Sequence, residues 1–236
     1  DGDGIGNNAD TDDDNDGVDD TNDAFPLDPT ETIDTDADGV GDNADIDDDD
    51  DQLIEIYSLD DLNATRELVG GLPGLYGVQT GCATSCSGYE LMVDLDFDEN
   101  QDGTVDVSDH QGKFWNGGAG WIPLENGLGS EFEGNGYSIK NLYINSDQSD
   151  CLGLACYLKT DAKVSNLTLT GTITKPTSSV TDNVGLLAGS LDGTSEVVIE
   201  NVSIISTINV PGARFVGGLI GWVTGAITVN NITGNV

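Results

Sequence analysis

VSNLTL at 164–169, IENVSI at 199–204, VNNITG at 229–234 and IKNLYI at 139–144 share one pattern: apolar, any residue, Asn, apolar, any residue, apolar. The fourth place for comparison, Gly234, departs from it by standing where the other copies have Leu or Ile. Strict two-residue alternation would send Ile139 and Leu142 to opposite faces of a strand, so the pattern needs a bend at the Asn to return both to one interior. Asn tolerates left-handed torsions and bonds along a stack of its own kind.

A second element recurs between these copies: LGLAC at 152–156, VGLLAG at 184–189 and VGGLIG at 216–221. Gly153-Leu154, Gly185-Leu186 and Gly218-Leu219 recur about every thirty-two residues. A strand–turn–strand unit of this length cannot bury its apolar side alone, and stacking copies is the solution. Short β-branched strands with polar turns make the stack a mainly β fold, a right-handed parallel β-helix or solenoid.

Upstream the composition changes. Residues 1–51 hold 22 of the 44 acidic residues, no Lys or Arg, and Phe25 as their one aromatic. Such a segment has no means of forming an apolar core, so the expectation is an extended Asp-rich region with little regular secondary structure. Asp on alternate residues around a Gly is the donor set of hard divalent cations, and several Ca2+ ions are the expected cofactor. Three regions follow: 1–51 Asp-rich, 52–130 a connecting and cap region, and 131–236 the β-helix. In the middle region the spacing predicts a short helix within 53–68, capped by Ser58, with Asp61 three residues on and Leu59, Leu62 and Leu68 as its apolar stripe.

The ligand set expected in the first region is repetitive. Asp12, Asp14, Asp16, Val18, Asp20 and Asp23 form one copy, and Asp34, Asp36, Asp38, Val40, Asp42 and Asp45 another. Asp1, Asp3, Asn7 and Asp10 make a partial copy, and Asp47, Asp49, Asp51, Leu53 and Glu55 a second, with Gln52 where Gly belongs. These residues resemble thrombospondin type 3 repeats, whose Asp-rich loops wrap calcium with very little apolar core. The cysteines of that family are absent here, and AFPLDPTET at 24–32 spaces the copies as bacterial versions do. Separately, DENQDGTVDVSD at 98–109 reads as a twelve-residue calcium loop through Asp98, Asn100, Asp102, the Thr104 carbonyl, Asp106 and Asp109, with Gly103 at the turn. It also resembles the dockerin loop, with Asp at the place of the usual bidentate Glu.

WNGGAGWIPL at 115–124, FEGNGYSIKNLYI at 132–144 and GGLIG at 217–221 resemble bacterial surface proteins with GLUG-type repeats. That resemblance implies a secreted or surface-anchored, adhesin-like β-helix and carries over no catalytic residue. The chain is therefore read as a calcium-stabilised structural fragment, not an enzyme. The alternative is a subunit that stacks head to tail into an extracellular filament with calcium near the joint, and a carbohydrate-active enzyme ranks below both.

Charge narrows the partners further. A net charge of −37 with seven scattered cations argues against nucleic acid. No apolar run is long enough to span a bilayer. A surface glycan or protein ligand is compatible with the reading. Absence of an initial Met or leader suggests a processed or excerpted piece.

The cysteines form two close pairs, and of the three pairings four cysteines allow, Cys82–Cys86 and Cys151–Cys156 are favoured over the others and over a zinc site. An oxidising compartment follows. His110, the one His, is expected to be a solvated loop residue. Trp115, Trp121, Tyr137 and Tyr143 fit a cap over the solenoid end better than a sugar platform. Glu131 and Glu133 share a strand face without a cleft, which gives no acid–base pair. The Asn-x-Ser/Thr sites at Asn63, Asn166, Asn201 and Asn231 are explained by bends without glycan. Thr168, Thr170, Thr172 and Thr174 are explained by strand propensity.

Overall fold

The computed structural model describes residues 6–45, 47–67, 88–125, 127–128, 130–147, 151–177, 181–191 and 196–235. Its described residues up to Glu55 form one compact unit, and those from Ile56 onward form a second. Among the described residues of the first unit, backbone order comes from turns, and the only strand residues are those opening β1 (Leu53–Ile56). The second unit begins with the helix α1 (Leu59–Ala64), where the Ser58 hydroxyl accepts the Asp61 N–H at 3.2 Å and Leu59 and Leu62 are buried. Helix and cap agree with the sequence, though the stretch before Ser58 is strand; Leu68 lies outside the described residues.

The rest of this unit is a β-solenoid of about five turns made of four stacks of parallel strands. One stack runs β2 (Gly88–Leu91), β4 (Glu131–Glu133), β8 (Lys163–Ser165), β12 (Val197–Glu200) and β16 (Ile227–Asn230). A second runs β3 (Leu95–Asp96), β5 (Ser138–Asn145), β9 (Thr168–Thr174), β13 (Ser203–Asn209) and β17 (Thr233–Asn235). Shorter stacks are β6 (Cys151–Leu152), β10 (Thr181–Val184) and β14 (Ala213–Val216), and β7 (Ala155–Leu158), β11 (Ala188–Leu191) and β15 (Ile220–Val223). Parallel pairing of β2 with β4 and of β3 with β5 carries the stack upstream of residue 131, to Gly88.

Register lines the interior with one apolar column per stack. Phe132, Val164 and Ile199 are in register and at most 1% exposed, as are Ile139 and Leu169 with Ile204 at 3%. Each such side chain contributes about 1.5–3 kcal/mol on leaving water. The chain turns at Asn166, Asn201 and Asn231, all left-handed with φ of 52°, 54° and 51°. Their side chains form a ladder along the stack: Asn231 Nδ2 donates to Asn201 Oδ1, and Asn201 Nδ2 to Asn166 Oδ1, both at 2.9 Å. These amides are engaged along the bends.

The first copy of the repeat is corrected by the register. Phe132, not Ile139, stands in the column of Val164, and Ile139 pairs with Leu169. Asn141 does have φ of 57°, but it lies at a register shift in β5 and donates to Asp96 Oδ1 at 2.8 Å instead of joining the ladder. The physical reason is a wider turn at 134–137, with Asn135 and Gly136 both left-handed, which leaves Glu133 to head the ladder by accepting Asn166 Nδ2 at 2.9 Å. The later element shifts by one residue: Val184 pairs with Val216, so Gly217 rather than Gly218 continues the column of Gly185. At Gly185 a Cβ would lie 2.5 Å from the Ala188 carbonyl oxygen and 2.6 Å from Ile220 Cα, so close backbone approach requires the glycine.

Cys151 and Cys156 are disulfide-bonded across the turn joining β6 to β7, with Cα atoms 5.2 Å apart. Cys82 and Cys86 lie outside the described residues. Trp121 is 2% exposed, packs edge-on against Phe97 at 5.4 Å, donates Nε1–H to the Leu154 carbonyl at 3.0 Å and lies under the Arg66 guanidinium at 4.3 Å. That burial excludes Trp121 from any exposed platform. Trp115 stacks on Tyr143 at 5.6 Å, and Tyr137 is exposed.

Candidate metal centre

Four acidic segments adopt one loop conformation, and the sequence dictates it residue by residue. At the first position are Asp12, Asp34, Asp47 and Asp98. Each accepts the N–H five residues on, from Gly17, Gly39, Gln52 and Gly103, at 3.1, 3.2, 3.1 and 2.9 Å. The third position, Asp14, Asp36, Asp49 and Asn100, accepts the N–H of the fifth; the fifth, Asp16, Asp38, Asp51 and Asp102, accepts the N–H of Val18, Val40, Leu53 and Thr104. These are Asx turns, in which a short carboxylate, or the Asn100 carboxamide oxygen, accepts the backbone N–H two residues on.

The turns wind the backbone so tightly that the fourth and sixth positions are left-handed. The fourth holds Asn15, Ala37, Asp50 and Gln101 with φ of 62°, 64°, 56° and 58°. At the sixth, Gly17, Gly39 and Gly103 adopt φ of 102°, 93° and 91°, and Gln52 adopts 74°. A side chain in this region costs about 1–2 kcal/mol, which glycine avoids. Ala37 and Gln52 therefore hold strained torsions for the sake of the loop.

Closure comes from the ninth position. Asp20, Asp42 and Glu55 accept the N–H of Asp13, Thr35 and Asp48 at 2.8, 2.8 and 2.9 Å. The 98–109 loop closes differently: Asp109, 3% exposed, accepts Asn100 N–H at 3.3 Å and Asp106 N–H at 2.8 Å. Asp106 accepts Ser108 N–H at 2.7 Å. Flanking acids prepare the entries, with Asp10, Asp45 and Asp96 accepting the N–H of Asp12, Asp47 and Asp98. Asp23 accepts Phe25 N–H at 2.8 Å, and the Asn7 side chain bonds the Asp13 carboxylate. Asp1 and Asp3 lie outside the described residues.

Among the described residues of the first unit, three sets bring carboxylate oxygens within 4.8 Å of one another: Asp12, Asp14 and Asp16; Asp34, Asp36 and Asp38; and Asp47, Asp49 and Glu55. Burial, opposed by the Gln52 N–H and reinforced by Asp51, Asp50 and Asp49, pushes the Asp47 carboxyl up to about 6. Burial and Asp20 raise Asp13; burial raises Asp14 against the Asp16 N–H.

A cation fits these sets on a specific observation. Asp12 Oδ1, Asp14 Oδ2 and Asp34 Oδ1 are shielded from solvent and accept no hydrogen bond, while the other oxygen of each accepts a backbone N–H. Shielded, unsatisfied acceptors are rare and call for a partner. Their hard, all-oxygen donor chemistry suits calcium rather than a metal that prefers thiolate or imidazole.

His110 is not solvated as expected. Its ring is 23% exposed, with Nε2 2.8 Å from the Asp96 carbonyl and a face toward Phe114 at 5.5 Å. Glu131 and Glu133 serve the stack: Glu131 pairs with Lys163 at 2.7 Å and Glu133 accepts the Ser165 hydroxyl at 2.7 Å. The sequence carried no signal for the part played by the second-position N–H groups. The ninth-position role of Glu55 was legible only from its place in the register, since its longer side chain reaches the N–H that Asp20 and Asp42 reach elsewhere.

No protein-family profile and no solved structure matches the chain. It is similar to halomucin of Haloquadratum walsbyi, at 30% identity over 166 residues, which cover 64% of this chain and 2% of halomucin. It is also similar, at 33% identity over 91 residues, to a protein of Evansella cellulosilytica named as a Gly-rich membrane protein; the match covers 37% of this chain and 10% of that one. The chain thus spans a small part of each relative's length. No helix among the described residues is long and apolar enough to cross a membrane.

Proposed function

We propose that this chain is a piece of a calcium-stabilised, extracellular surface protein with a structural, non-catalytic role. In this reading an Asp-rich spacer of the thrombospondin type 3 kind precedes a GLUG-like β-solenoid stalk. The observation that carries it is the set of shielded carboxylate oxygens without hydrogen-bond donors in loops that share one backbone. Calcium bound there would supply the positive charge that replaces mutual repulsion with shared ligation. The protein's own part is preorganisation: backbone N–H groups hold one oxygen of Asp12 and one of Asp34, and the other oxygen of each is left for the ion.

Support for the surface setting comes from the relative named as a membrane protein, from the disulfide, which persists in oxidising compartments, and from the charge of −37, which keeps a chain soluble and apart from its copies. Lateral contacts such as Glu131–Lys163 and the Asn ladder join successive turns of the solenoid on its outside, which suits a structural rod. Small-angle X-ray scattering with and without a calcium chelator tests the proposal. Chelation is expected to expand the particle as residues 6–55 lose order. An unchanged scattering profile would reject it.

A further inference from the structure

The loops at 12–20, 34–42 and 47–55 differ in ways that set them in rank order. Each offers four carboxylates, at positions one, three, five and nine, so charge count does not separate them. Affinity for a hard divalent cation then depends on the rigidity and surroundings of the site. Here the third loop stands apart at its first and ninth positions: Asp47 is 0% exposed and Glu55 7%, beside Leu53 at 6%, whereas Asp12, Asp20, Asp34 and Asp42 are half-exposed; its third and fifth positions, Asp49 and Asp51, are exposed. The third loop also continues without a break into β1, whose Ile54 and Ile56 are buried.

One feature opposes this order. Gln52 occupies the left-handed sixth position that is Gly17 or Gly39 in the other loops. Its strain is a single local cost, while attraction between a dication and each carboxylate grows about fourfold as the effective dielectric falls from about 80 to about 20. The electrostatic gain acts on the two buried carboxylates, Asp47 and Glu55, each attracted by both charges of the ion, and outweighs the strain.

We infer that the 47–55 loop retains a divalent cation at concentrations at which the 12–20 and 34–42 loops have released theirs. This rests on the calcium reading above. It adds a two-step response, in which falling calcium loosens residues 12–42 first and leaves the segment leading into β1 ordered.

Calcium titration calorimetry with native mass spectrometry, on the full 236-residue chain, tests this. D12N and D34N are each expected to remove one weaker binding step and to leave the tightest unchanged. D47N is expected to abolish the tightest step, which lies at least about tenfold below the others in Kd. D49N gives the same result from an exposed position, so loss of folding on altering buried Asp47 does not decide the outcome. Survival of the tightest step in both D47N and D49N, or three equal affinities, overturns the ranking while leaving calcium binding in place. No calcium uptake by the unaltered chain overturns the calcium reading and the ranking with it.

Discussion

Replacing Asn201 probes the bend that makes a solenoid of this chain. Asn201 donates to Asn166 and accepts from Asn231, each at 2.9 Å, and its φ is 54°. Because the side chain is exposed, each ladder bond contributes at the low end of the usual range, about 0.5–1 kcal/mol. Alanine loses both bonds and adds left-handed strain of about 1 kcal/mol, for a total of about 2–3 kcal/mol. Glycine loses the same bonds without the strain and should cost about 1–2 kcal/mol. For a unit of this size N201A is then expected to lower Tm by about 5–10 °C, and N201G by about half as much. Thermal unfolding followed by far-ultraviolet circular dichroism, with urea midpoints as a second measure, separates the two. Equal losses in N201A and N201G would refute the torsional argument; losses under about 0.5 kcal/mol in both would refute the ladder as well.

Gly39 has φ of 93° and open space around the place of a Cβ, so G39Q imposes torsional strain alone and should destabilise the calcium-loaded first unit by about 1–2 kcal/mol, read by urea denaturation. Gly185 is crowded by backbone, and G185A should cost the solenoid about 1–3 kcal/mol on the same measurement. Burial works to raise the Glu133 carboxyl, but the Ser165 hydroxyl, the Asn135 N–H and the Asn166 amide outweigh it and hold it below its ordinary value. A lowered acid contributes stability above its unfolded-state value that disappears as pH falls through the folded one, so the solenoid's Tm should drop on acidification below about 4.5. E133Q should flatten that acid limb, and an unchanged limb would remove Glu133 from the account.

The solenoid was legible because its repeat joins two demands that only stacking meets: an apolar residue on each side of a bend, and an Asn able to occupy the bend. Val164, Ile199 and Val229 fall in one column as their spacing implies. Where the text misled, geometry had a competing signal of the same letters. IKNLYI matches the pattern, yet the wider turn at Asn135-Gly136 takes over the corner and turns Asn141 into a bulge. Loop positions one, three and five were readable from alternating Asp around Gly. Less visible was that Gln52 and Ala37 accept left-handed torsions, because nothing in a residue's identity announces that hydrogen bonds from its neighbours will force it there. The half-buried setting of His110 was hidden for a similar reason: its partners, the Asp96 carbonyl and Phe114, meet only in the fold.

Native mass spectrometry of the unaltered chain from a calcium-containing volatile buffer asks the central question directly. Three carboxylate sets between Asp12 and Glu55 predict at least three calcium ions retained, all released by chelator. A spectrum of bare protein under those conditions would contradict the account at its root.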